Sequence, residues 1–131
     1  MKRLLFLLAC CASFACAQSA TTWEVGLMPV PTSPTNICSD TAPQAPPCGF
    51  SGGTDTLHLA QGSFANTNSS GSVTVTITDN STNCNGGACT LWVAAIAAQS
   101  TYYVPFNGLR AYRGVSWSAT GTGVHAWLKG N

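Results

Sequence analysis

The stretch SVTVTITD, residues 72–79, sets Val73, Val75 and Ile77 against Thr74, Thr76 and Thr78. An apolar residue at every second position is the period of a strand with one face buried, and a helix would need a period near 3.6. The same alternation recurs along the chain. DTLHLAQ sets Leu57 and Leu59 against Thr56 and His58, and GVSWSAT puts Val115, Trp117 and Ala119 on one side. GVHAWLK sets Val124, Ala126 and Leu128 against His125 and Trp127, and TYYVPF groups Tyr102, Val104 and Phe106. TWEVGLM supplies a first strand. TLWVAAIA is ambiguous, because its alanines also suit a helix. DNSTNCNGG, FNG and TGTG read as turns between the strands. After the N-terminal segment, no capped helical run interrupts this pattern. The expected fold is therefore all-β, an antiparallel β-sandwich or jelly-roll-like arrangement of short strands.

The first residues are of another kind. MKRLLFLLACCASFACAQSA opens on Lys2 and Arg3, continues apolar from Leu4 to Ala15, and ends in the small-residue triplet Ala15-Cys16-Ala17. This is the layout of a secretory signal peptide, residues 1–17, cleaved after Ala17. The apolar run is shorter than the roughly 20 residues a membrane span needs. LLAC, ending at Cys10, loosely resembles a lipoprotein-processing site, though the apolar stretch before it is short. The expectation is one secreted domain, residues 18–131, extracellular or periplasmic, with no membrane attachment after cleavage. Its length suits a single core. Within it, Pro29, Pro31, Pro34, Pro43, Pro46 and Pro47 mark residues 29–47 as a proline-rich loop or arm, since proline lacks the N–H a strand ladder uses.

Removing residues 1–17 leaves Cys38, Cys48, Cys84 and Cys89. An even number in a secreted chain reads as disulfides. Local pairing, Cys38–Cys48 and Cys84–Cys89, is expected, because each pair brackets turn-rich sequence, SDTAPQAPP and NGGA. A zinc site would favour closer C-x-x-C pairs with histidine nearby. His58 and His125 lie far off in sequence, so no metal and no cofactor is expected.

Only 7% of the chain is charged, against about 25% in average soluble domains. The secreted part keeps Arg110, Arg113 and Lys129 against Glu24, Asp40, Asp55 and Asp79. Three cations make no phosphate-tracking patch, which argues against nucleic acid. A neutral Thr/Ser/Gly-rich surface suits extracellular fibres and shells, in which chains pack closely.

CGFSGG, residues 48–53, contains G-x-S-x-G, with Asp55 and His58 close behind. A nucleophilic serine on that motif needs a strand before it and a helix after it. Ser51 follows APPC and precedes GGTDTLHL, a turn leading into a strand. Asp55 and His58 would also fall on opposite faces of that strand. The motif reads as a glycine turn, and the chain as a non-enzyme. DNSTN, from Asp79, lacks the glycine and second carboxylate of a calcium loop and reads as an Asx-rich hairpin turn. Asn68 and Asn80 begin N-x-[ST] sequons.

The aromatic residues carry the binding expectation. Trp92, Tyr103 and Trp127 fall out of register with their apolar neighbours and are placed on an outer face. Exposed aromatics of secreted β proteins stack on sugars or bury against another chain. The expected partners are other copies of the chain or another extracellular protein, with polysaccharide as the alternative.

YYVPFNGLRAYRGVSWSATGTGVHAWLKG, residues 102–130, resembles the C-terminal part of small β-sandwich proteins of phages and prophages. The matching pieces are Pro105, Phe106, Asn107, Gly108, Leu109, Arg110, Gly114 and SATGTG at 118–123. TITDNST, residues 76–82, resembles an earlier turn of theirs. The resemblance implies a structural role on a virion surface, as a decoration or tail-associated subunit, and brings no catalytic residues. The signal peptide and the cysteines depart from that pattern.

Overall fold

The computed structural model describes residues 23–39, 57–84 and 87–130. The signal segment, Cys48, Ser51 and Asp55 lie outside the described residues. Eight strands follow one another: β1 Trp23–Pro29, β2 Thr35–Ser39, β3 Leu57–Asn66, β4 Val73–Cys84, β5 Gly87–Ile96, β6 Ser100–Ala111, β7 Gly114–Ala119 and β8 Val124–Gly130. There is no helix among the described residues, and TLWVAAIA is strand. The strands form two antiparallel four-stranded sheets, β1-β8-β3-β6 and β2-β7-β4-β5.

The alternation read from the sequence is the burial pattern of these strands. Val75, Ile77, Val115, Val124, Ala126 and Leu128 are fully buried, and Trp117 is nearly so. Side chains from both sheets meet in one buried cluster. Gly130, at the end of β8, must be glycine: a Cβ there would lie 2.1 Å from the His58 carbonyl oxygen and 2.3 Å from the Trp23 ring.

Three segments differ from expectation. The proline-rich stretch 29–47 is not one continuous loop, because Thr35–Ser39 forms β2 at the edge of the second sheet. The prolines flank this strand without entering it, and β2 pairs with β7 alone, so no proline breaks a ladder. FNG is not a turn between strands. Asn107 and Gly108, at φ 52° and 78°, make a bulge inside β6, and both halves of β6 pair with β3. Left-handed Asn-Gly suits a tight turn and a bulge equally. DNSTN is not a turn either, because β4 runs on through Cys84.

The Asp79 carboxylate faces inward, 1% exposed, and accepts from the backbone N–H groups of Tyr112 and Arg113, both at 2.9 Å. It holds the β6–β7 turn. At the opposite end of the strands, buried Asn66 donates to the carbonyls of Ile96 and Gly71 and accepts from the Asn68 N–H. The Asn68 amide in turn donates to the Thr122 carbonyl at 2.8 Å. The β3–β4 and β7–β8 loops and the end of β5 are knitted together there.

Candidate functional site

The strand register sorts the three candidate aromatics. Trp92 lies opposite Ile77, which points into the core, so Trp92 points there too. Its ring stacks on Phe64 of the first sheet at 4.8 Å and meets the edge of Phe106 at 5.7 Å. The expectation that Trp92 lies on an outer face is therefore corrected. Its neighbours Leu91 and Val93 suggested the opposite register, but Val93 is 55% exposed. β5 is an edge strand with apolar residues on both faces, and local alternation does not assign its sides.

Trp127 and Tyr103 do lie on the face of the first sheet that points away from the core. Ser63 of β3 is the register partner of both, Trp127 on β8 and Tyr103 on β6. The three residues form one row across the sheet, so the two aromatic positions are two strand spacings apart, about 9.6 Å. Tyr103 is 58% exposed and Trp127 is half-buried. Neither ring is left to rotate freely. The Tyr103 hydroxyl donates to Gln61 Oε1 at 2.5 Å. Trp127 Nε1 donates to Glu24 Oε1. Both acceptors sit on the next strand toward β1, so both rings point the same way across the sheet.

The rest of the face suits a shallow contact. Along β3 the outward positions are Gln61, Ser63 and Ala65, a low floor between the rings. His125 and Lys129 flank Trp127 on β8, and Thr101 and Pro105 flank Tyr103 on β6. Lys129 is the register partner of Glu24, so these two charges offset one another beside Trp127. Sequence parity located Trp127 and Tyr103 on this face. It missed Gln61 and Glu24, whose role depends on which strands are neighbours, and only the β1-β8-β3-β6 order reveals that.

His58 stands opposite Arg110 near the far end of the same sheet. Among the described residues no group of three His, Cys, Asp or Glu side chains is placed to hold a metal ion, and no helix is long and apolar enough to cross a membrane. No protein-family model matches the chain, and no curated protein matches it significantly.

Proposed function

We propose that the chain is a secreted, non-catalytic jelly-roll sandwich, closed by disulfides, that binds polysaccharide on the outer face of its first sheet. The sheet orders β1-β8-β3-β6 and β2-β7-β4-β5 support the jelly roll, in which two Greek keys carry the chain back and forth between two four-stranded sheets, with only the β4–β5 hairpin staying in one. The stacking of Trp92 on Phe64 supports packing of the sheets face to face. The two acids with described side chains are already engaged, Asp79 by backbone amides and Glu24 by an indole, which suits a binding role better than acid–base chemistry.

Two disulfides are part of this proposal, and Cys38 and Cys89 each enter one. The register row Cys38, Val115, Asp79, Cys89 separates them by three strand spacings, about 14 Å, beyond the roughly 7 Å a disulfide spans. They therefore have separate partners. Cys84 lies opposite Gly87, two residues from Cys89, which supports Cys84–Cys89, and Cys38–Cys48 is the pairing proposed for the other two.

The observation that carries the binding reading is the row Trp127–Ser63–Tyr103, with both rings fixed and turned to solvent. Affinity electrophoresis through gels containing soluble polysaccharides tests it. The wild-type protein is expected to be retarded by at least one neutral glycan, and Trp127→Ala to lose at least ten-fold in affinity, as for a central anchor. Trp92→Ala should lower stability and leave retardation unchanged. Free migration of the wild-type protein through every gel would refute the reading.

A second reading, a self-assembling structural subunit like those of phage particles, is favoured by exposed apolar residues on edge strands. Leu27 is 72% and Met28 46% exposed on β1, and Val93 is exposed on β5. Sedimentation of the same samples separates the two: assembly predicts particles larger than one chain, dispersed by Leu27→Asp and indifferent to glycan.

A further inference from the structure

We infer that the ligand is a neutral, extended β-1,4-linked hexopyranose chain that crosses the first sheet along the row Trp127–Ser63–Tyr103, with sugars n and n+2 stacked on the two rings. This rests on the polysaccharide-binding reading and adds the linkage, the direction and the register.

The first support is spacing. In an equatorially linked β-1,4 chain each sugar is turned over relative to the last, so every second sugar shows the same C–H face to a flat surface. The two-sugar repeat is close to two strand spacings, about 9.6 Å, the separation of Trp127 and Tyr103 set by their shared partner Ser63. An α-1,4 chain curls, and its sugars n and n+2 do not lie on one plane.

The second support is ring attitude. Because Tyr103 is held by Gln61 and Trp127 by Glu24, both rings are anchored at their polar tips and point the same way across the sheet, within reach of the polarised C–H groups of a sugar. The third support is the floor between them. Ser63 stands where sugar n+1 would pass, small enough to admit it and able to hydrogen-bond its hydroxyls. Along the row itself the nearest opposed charges, Glu24 and Lys129, offset one another, and Arg110 lies farther along the sheet opposite His58, so among the described residues no cluster of cations lines the path as a polyanion would need. Glu24 is a positioning residue here, acting through the Trp127 ring.

Titration calorimetry with cellulose-type oligomers of two to six sugars, and with maltohexaose, tests this. Affinity should rise at least ten-fold between the disaccharide and the trisaccharide, the first length that reaches both rings. Maltohexaose should bind at least ten-fold more weakly than cellohexaose. Glu24→Ala should weaken cellohexaose several-fold with an unchanged melting temperature, Glu24→Gln, which keeps an accepting oxygen, should retain most of the binding, and Trp127→Phe should retain part of the binding that Trp127→Ala loses. Equal affinity for the two hexamers, or a disaccharide that binds as tightly as cellohexaose, would overturn the β-1,4 register and leave polysaccharide binding standing. No binding of any oligomer, together with no retardation in polysaccharide gels, would remove both.

Discussion

Trp117→Ala is expected to destabilise the protein by about 3–5 kcal/mol, the range for deleting a large buried aromatic, lowering the melting temperature by roughly 15 °C in a domain of this size. Trp117 is 1% exposed and is the largest fully buried side chain. It sits on β7 between Ile77 of β4 and Thr35 of β2, in the middle of the second sheet. The neighbouring strands are fixed by their own ladders and have little freedom to collapse into the space. The cost should therefore include most of the cavity term as well as the lost transfer of the ring. Trp117→Phe should retain more than half of the stability that alanine loses. Thermal and denaturant unfolding measure both. A loss below about 1 kcal/mol for alanine would mean that the ring is not packed as described.

Asp79→Ala is expected to cost about 2–4 kcal/mol, the loss of two hydrogen bonds to a buried carboxylate. The Tyr112 and Arg113 N–H groups would lose their acceptor, and the β6–β7 turn would lose the contact that closes it. Asp79→Asn should recover little, since an amide presents only one acceptor oxygen to two donors and turns its own N–H2 toward the other. Chemical denaturation measures the loss, and amide exchange should quicken first at residues 112–114. A variant as stable as the wild type, with slow exchange at those residues, would show that the carboxylate does not hold the turn.

Much of this architecture can be read locally. In β8, and in β4 from Val73 to Asp79, buried and less buried residues alternate strictly, and β3 does so on either side of a one-residue slip between Leu59 and Gln61, while in β7 the apolar residues alternate although Ser116 between them is buried too; the period is the mark of one face lying on the core. The alternation fails where that condition fails. β2 has one large apolar residue, Ile37, among polar neighbours and prolines, so nothing local distinguishes it from a loop. β5 has bulky apolar residues on both faces, so Leu91 and Val93 drew Trp92 to the wrong side. Asn107-Gly108 and DNSTN carry turn chemistry that the strand ladders absorb as a bulge and as an extension of β4. The candidate face was legible only in part. Parity put Trp127 and Tyr103 outward, but their place in one row and their anchoring by Glu24 and Gln61 come from pairing β1, β8, β3 and β6 across up to a hundred residues of sequence. Such long-range antiparallel pairing leaves no local signature.

Fluorine NMR of protein labelled with 5-fluorotryptophan tests the central claim most directly. The four tryptophans, Trp23, Trp92, Trp117 and Trp127, give one resonance each, assigned through single Trp→Phe variants. Trp23 and Trp117 are buried and Trp92 is stacked on Phe64, so only Trp127 stands on the proposed binding face. Addition of the bound glycan should shift or broaden the Trp127 resonance progressively and leave the other three in place. A shift confined to Trp92, or saturation with glycan that leaves Trp127 unmoved, would contradict binding on the outer face of the first sheet.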